Sequence, residues 1–198
     1  MFTGIIASVG SFRGYRQGKK EMALEAPALE GRLAVGDSLA VNGVCLSLVR
    51  VESGSLVFNL SQETLERTNL GSLRPGQELN LELPLTLAAP LSGHLVSGHV
   101  DFKARLLRST PRTPGKRLVF SLPRAFRPYF VPKGSVAVNG VSLTVAALRQ
   151  TDFEIELIPI TLEKSNLRAL RSGDEVNVEC DLVGKYVYNW IQCRAKND

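Results

Sequence analysis

Two histidines, three cysteines and a few serine, lysine and carboxylate side chains bound the chemistry open to this chain of 198 residues. His94 and His99 stand five apart in SGHLVSGH. An imidazole titrates near neutrality and is suited to taking and returning a proton. Cys45, Cys180 and Cys193 are odd in number, widely spaced and form no CxxC, which disfavours both a disulfide framework and a zinc site. A lone thiol is then a nucleophile or acid, or a small buried core residue. Ser142 lies in VNGVSLTV, Asp181 at the end of VNVECD, and Lys133 in VPKGS. A strand serine ordinarily just hydrogen-bonds, a strand-end aspartate caps a turn, and a turn lysine faces solvent. Position must decide between these readings and chemistry.

Position is set by a duplication. SLAVNGVCLS at 38–47 matches SVAVNGVSLT at 135–144 in seven of ten places, at an offset of 97. The offset holds through Thr64/Thr161, Gly76/Gly173, Asn80/Asn177 and Glu82/Glu179. Upstream, FTGII at 2–6 aligns with VSGHV at 96–100 at an offset of 94. The chain is a repeated unit followed by a short tail. Shared between copies are Gly4/Gly98, Asn42/Asn139, Leu46/Leu143 and Thr64/Thr161, with Ser47/Thr144 alike. Divergent are Ile5/His99, Cys45/Ser142, Gly36/Lys133 and Pro84/Asp181.

Within a copy the apolar period is two. Strand, Asn-Gly, strand is the strongest short-range hairpin signal, and SLVFNL, ELNLELPL, RLVFSL, FEIELIPI and EVNVECDL run or alternate over strand lengths. Several short strands per copy predict a small closed barrel. SQETLERTNLGSL and PITLEKSNLRALRSG read as short helical turns, and the tail from 186 as a helix with Tyr186, Val187, Trp190 and Ile191 on one face. After each Asn-Gly turn Val44, Leu46 and Leu48 face one way and Cys45 and Ser47 the other. Val141, Leu143 and Val145 oppose Ser142 and Thr144 in the same manner. His94, at an odd separation from His99, faces away from it if 94–99 is extended and reads as structural.

Hydrophobic residues at 44% and charged residues at 22% are ordinary for a soluble globular protein. There is no membrane-spanning run and no basic, apolar leader at the N-terminus, so the cytosol is the expected compartment. The formal net charge is 24 − 19 = +5, with a basic excess over 103–127 that reads as solvated strand edges and loops. No aromatic nucleic-acid motif accompanies it.

MFTGII, NGVCLS, ETLERTNL, GHLVSGHVD, NGVSLTV and IPITLEKSNL, in this order and with the duplication, resemble the riboflavin synthase family over essentially the whole chain. The resemblance implies a mainly β protein: two tandem six-stranded Greek-key-type barrels (1–93 and 94–185) with short helices, and a C-terminal helix over 186–198 at a trimer contact. It implies transfer of a four-carbon unit between two molecules of 6,7-dimethyl-8-ribityllumazine, giving riboflavin and 5-amino-6-ribitylaminouracil, with no cofactor and no metal. The partners implied are a homotrimer and lumazine synthase. Each barrel would bind one molecule, and an N-terminal barrel would face a neighbour's C-terminal barrel.

Carried onto this chain, His99 would deprotonate the substrate's 7-methyl group. Ser142 would carry a proton path or activate a nucleophile, and the Cys45 thiol would add to the ring or act as an acid. Asp181 and Lys133 would stand near the ligand. The ring's amide edge would meet the backbone at Gly4, Ile5 and Ile6, at Cys45, Leu46 and Ser47, at Gly98, His99 and Val100, and at Ser142, Leu143 and Thr144. Asn59, Leu60, Ser61, Gln62, Glu63 and Thr64 in one copy, and Ile158, Pro159, Ile160, Thr161 and Leu162 in the other, complete the contacts. Ile160 departs from the family's glutamate, and Ser92 from its glycine. Three of the four divergent pairs put the titratable group in the second copy. The expectation is therefore that the C-terminal barrel, with His99 and Ser142 together, hosts the main proton transfers. The rivals are a non-catalytic lumazine- or flavin-binding antenna protein, a reductase flavin barrel, for which a Gly-rich βαβ unit is missing, and an oligonucleotide-binding barrel.

Overall fold

Each Asn-Gly pair makes the turn its residue types favour. In the computed structural model, which describes residues 1–195, Asn42 and Gly43 have φ of 46° and 77°, and Asn139 and Gly140 have 45° and 77°. Two successive positive values define the hairpin turn whose twist matches its strands. The first hairpin joins β3 (Ser38–Val41) to β4 (Val44–Glu52), and the second joins β9 (Ser135–Val138) to β10 (Val141–Leu148).

Around the first hairpin, β1 (Ser8–Arg16), β2 (Glu21–Glu25), β5 (Ser55–Asn59) and β6 (Glu78–Glu82) close a barrel in the order β1-β2-β5-β4-β3-β6. β7 (Phe102–Arg112), β8 (Gly115–Ser121), β11 (Asp152–Leu157) and β12 (Glu175–Cys180) close the second around β9 and β10 with the same connectivity. Alternation decides the faces as expected: Val44, Leu46 and Leu48 are buried, Cys45 is half-buried and Ser47 exposed, and β10 repeats the pattern. Phe12, Phe58 and Leu79 fill one barrel, Phe120, Phe153 and Val178 the other. Each such side chain contributes roughly 1.5–3 kcal/mol by leaving water.

The two barrels meet about a pseudo-dyad on which the turns touch. A Cβ on Gly43 would lie 2.7 Å from the Gly140 amide nitrogen, and one on Gly140 the same distance from that of Gly43. Glycine therefore serves the turn and the contact together. Asparagines exchange bonds across this axis: Asn69 N donates to Asn177 Oδ1 and Asn166 N to Asn80 Oδ1, each at 2.7 Å. The Nδ2 groups of Asn80 and Asn177 reach the backbone carbonyls of Asn139 and Asn42 at 2.9 Å. These buried polar groups are satisfied, so they specify one relative orientation of the barrels.

Part of the basic stretch of the second barrel is engaged in ion pairs: Lys103 and Arg105 with Glu175, and Arg117 with Glu154 and Glu156. The C-terminal helix, α3 (Leu182–Arg194), begins four residues before the position expected from its apolar stripe, because the Asp181 carboxylate accepts from Val183 N at 3.0 Å and starts it there. Gly184 and Tyr188 rest on Tyr129, while Val183, Tyr186, Val187, Trp190 and Ile191 stay exposed. Residues 196–198 of the expected tail lie outside the described residues. No helix among the described residues is long and apolar enough to cross a membrane.

Candidate active site

The leading segments of the two repeats cross. Phe2 and Val96 pair antiparallel, Phe2 N donating to Val96 O at 2.7 Å and Val96 N to Phe2 O at 3.1 Å. Beyond that bridge each segment runs onto the barrel of the other repeat. Gly4 O accepts from Ser142 N at 2.8 Å, and Gly98 O from Cys45 N at 2.9 Å. Ile6 packs against the second core and Val100 against the first. Gly4 and Gly98 have φ of +78° and +83°, and a Cβ there would lie 2.6 Å from that of Ser142 and 2.5 Å from that of Cys45. No larger residue fits either approach.

Two buried glutamates hold the crossing. Glu82, at the end of β6, accepts from Thr3 N, Thr3 Oγ1 and Gly4 N at 2.7, 2.8 and 3.0 Å. Glu179 on β12 does the same for Ser97 N, Ser97 Oγ and Gly98 N at 2.7, 2.6 and 3.0 Å. Charge-assisted bonds of this kind are about twice as strong as neutral ones. Burial still pushes the Glu82 carboxyl above the usual carboxylate range, against the pull of the bonds from Thr3 and Gly4. Sequence reasoning aligned Glu82 with Glu179 without assigning them work. Their identity in both copies, on strands that end right after them, was the available signal.

The crossing overturns one expectation. His99 and Ser142 do not share a pocket within the chain: His99 follows Gly98 onto the first barrel, exposed beside Cys45, while Ser142 meets the segment carrying Ile5. The imidazole that reaches Ser142 is His94, read from sequence as structural. Its Nδ1 lies 2.7 Å from Ser142 Oγ and its N donates to Thr3 O at 3.1 Å. The two histidines do face opposite ways, His94 buried and His99 exposed, but alternation cannot say which face meets which barrel. Burial drives the His94 pKa below the ordinary histidine value, opposed by the Asp181 carboxylate. The ring is neutral at pH 7, and its buried Nε2 has no hydrogen-bond partner among the described residues. A serine, a neutral histidine and a carboxylate thus converge on the second barrel; a thiol and an exposed histidine stand on the first.

Beside these groups each barrel offers an open strand edge. β4 pairs with β3 through residues 44–47 and with β5 only from Leu48 onward; β10 pairs with β9 through 141–144 and with β11 only from Val145. At these edges Cys45 N and Ser142 N already donate to Gly98 O and Gly4 O, and the remaining backbone groups of residues 45, 47, 142 and 144, which point away from β3 and β9, can bind a planar amide edge. Leu46 and Leu143 pair with Leu39 and Val136 through their backbones and send their side chains into the cores, so neither faces the open edge, and Leu60 is likewise buried. Each barrel also carries a short helix after its fifth strand. α1 (Gln62–Arg67) is capped by Ser61, whose Oγ accepts from Thr64 N at 3.0 Å. α2 (Pro159–Lys164) has Ile158 at its cap with no side-chain bond.

Asn59, Gln62 and Glu63 are exposed and Thr64 half-buried; Ile158, Pro159 and Ile160 are exposed and Thr161 and Leu162 half-buried. Lys133 replaces Gly36 in a left-handed turn at φ 66°, where its charge acts on Glu156. The 2–6 segment borders a cleft of about 230 Å³ that includes Ile5 and Glu82. A larger cleft, about 760 Å³, lies elsewhere on the pseudo-dyad and is lined by Asn69, Asn166, Arg74 and Arg171; none of the expected site residues is there. Chemistry, not volume, selects the strand edges.

Twin barrels that present the same open edge with unlike reactive groups define a protein that binds two similar planar molecules. A model of the lumazine binding domain matches residues 3–84 and again 97–181. The chain is 40% identical over 193 residues to riboflavin synthase of Mycobacterium bovis, covering 94% of this chain and 96% of that one. It is 33% identical over 199 residues to riboflavin synthase of Bacillus subtilis, covering 100% and 93%. The chain belongs to the riboflavin synthase family. Its fold is also that of LumP crystallised with riboflavin, at a TM-score of 0.84 and 22% identity over 91% of this chain and 99% of that one. LumP with 6,7-dimethyl-8-(1'-D-ribityl) lumazine gives a TM-score of 0.80 at 22% identity over 90% and 98%.

Proposed function

We infer that this chain catalyses the riboflavin synthase reaction. Two molecules of 6,7-dimethyl-8-ribityllumazine exchange a four-carbon unit, so that one becomes riboflavin and the other 5-amino-6-ribitylaminouracil. The observation that carries the reading is the asymmetric filling of two equivalent pockets, joined to full-length similarity with riboflavin synthases. Equivalent edges at 45–47 and 142–144 suit two copies of one compound, and holding them together replaces an encounter with a positioned reaction. Unlike groups give the copies unlike roles. On the second barrel neutral His94 is poised to take the Ser142 proton as the hydroxyl adds to its substrate, with Asp181 stabilising the imidazolium that forms. On the first, His99 stands at the open edge to take the 7-methyl proton, beside the Cys45 thiol.

Because His99 and Ser142 lie on different barrels, a complete site needs a first barrel to face a second barrel of another copy. We place this at the interface of a homotrimer in the cytoplasm. The exposed stripe Val183, Tyr186, Val187, Trp190 and Ile191 on α3 supports assembly. By repeat, the domain division we adopt is 1–93 and 94–181, followed by the α3 tail that starts at Leu182 and not at the expected 186. Association with lumazine synthase follows from family resemblance alone and is checked by co-sedimentation of the purified pair. Incubation of the protein with 6,7-dimethyl-8-ribityllumazine should yield riboflavin fluorescence, with two substrates consumed per riboflavin formed. Tight binding without turnover would establish the antenna reading instead.

A further inference from the structure

The last two residues of β12 and the one that follows it do three jobs. Glu179 grips Ser97 and Gly98, Cys180 N donates to Asp101 Oδ2 at 2.7 Å, and Asp181 starts α3 while its charge reaches His94. One side chain ties these together: Lys185, in the first turn of α3, places Nζ 2.6 Å from Asp101 Oδ2, and its N donates to Asp181 O at 3.2 Å. Asp101 stands two residues after His99, and its N donates to Val178 O at 2.9 Å.

The first repeat makes the same segment-to-strand bond with Ala7, whose N donates to Leu81 O at 2.9 Å. It carries neither charge: Ala7 stands for Asp101, Pro84 for Asp181 and Ala88 for Lys185. The barrel therefore closes without the pair. Lys185 and Asp101 are also drawn well out of solvent, at 24% and 19% exposure, and a desolvated ion pair is a poor source of net stability though a good source of fixed geometry.

We propose that the Lys185–Asp101 ion pair is a positioning device for the four-carbon transfer: it locks the first turn of α3 to the segment bearing His99, and so fixes Asp181 toward His94 and His99 beside Cys45. Both pockets depend on it, because one carboxylate of Asp101 serves the backbone of β12 and the lysine of α3 together. The proposal rests on the reading of Asp181 and His99 as pocket groups.

Lys185→Met and Asp101→Asn are compared with the full-length parent by steady-state riboflavin formation, with folding checked by circular dichroism and assembly by mass in solution. A misplacement of about an ångström lowers kcat by roughly 10- to 100-fold while KM stays close to that of the parent, since the ring-binding edges are untouched. Lys185→Arg restores most of kcat, and the double variant is no worse than the poorer single one, as two halves of one contact require. The proposal is overturned if assembled Lys185→Met keeps the parental kcat, if its loss tracks the unassembled fraction, or if the two single losses multiply. Should Lys185→Met fail to assemble, Asp101→Asn, which retains an acceptor for Cys180 N, carries the same test. Asp181→Asn in parallel tests the underlying reading: its indifference removes Asp181 from the pocket without bearing on the lysine result.

Discussion

Replacing Gly98 by alanine tests the crossed segments at their tightest point. The left-handed backbone at φ +83° costs a β-carbon roughly 1–2 kcal/mol. The new carbon must also displace the Cys45 Cβ from 2.5 Å and its amide nitrogen from 2.9 Å, overpacking worth about 1–3 kcal/mol. The sum, roughly 2–5 kcal/mol, falls on the contact between the 97–100 segment and β4. Even the lower figure raises the open population of that segment more than about tenfold, since about 1.4 kcal/mol is a factor of ten. The readout is the labelling rate of Cys45 by a thiol reagent in a Cys193→Ser background, which removes the exposed thiol and leaves Cys180 buried. Gly98→Ala should label at least about tenfold faster, whereas Gly4→Ala, whose β-carbon meets Ser142, should leave the rate unchanged. Riboflavin formation falls in both. The opposite pattern, with Gly4→Ala uncovering Cys45 and Gly98→Ala not, refutes the crossing.

Three further outcomes are expected. Ser142→Ala or His94→Ala lowers kcat by about 10²-fold or more while riboflavin binding to the intact protein persists; a parental kcat in either removes the pair from the chemistry. Because the His94 pKa is lowered on folding, the unfolded chain takes up the proton first, so stability contributed by this group declines as pH falls below the unfolded value and levels off below the folded one. His94→Gln should flatten that part of a thermal-unfolding pH series, and an unchanged slope contradicts the burial argument. Val187→Asp, on the exposed stripe of α3, should reduce the mass in solution to that of one chain without unfolding the barrels.

Alternation and turn chemistry are local, which is why so much of each barrel could be read directly. Asn42-Gly43 and Asn139-Gly140 announce their hairpins, and Val44, Leu46 and Leu48 announce their core face. The same logic is blind to partners. A period of two separates the His94 face from the His99 face, but whether either lies against Ser142 depends on how residues 2–6 and 96–100 cross the pseudo-dyad. No spacing encodes that crossing. Pairing His99 with Ser142 assumed that a repeat folds against itself, whereas the Phe2–Val96 bridge directs each segment to the other barrel. Glu82 and Glu179 were visible as identities, and only the buried amides of Thr3, Gly4, Ser97 and Gly98 explain why a carboxylate is needed there. Asp181, read as either a cap or a site residue, does start α3, accepting from Val183 N.

Complementation tests the central claim most directly. Ser142→Ala keeps Cys45 and His99 intact, and His99→Ala keeps Ser142, His94 and Asp181; each should be nearly inactive alone. Subunits of the two, unfolded together and reassembled in equal amounts, should regain about a quarter of the wild-type rate, the share of randomly formed contacts that join an intact first barrel to an intact second one. Mixed assemblies that form and stay as inactive as their parents would contradict a site shared between unlike barrels of neighbouring copies.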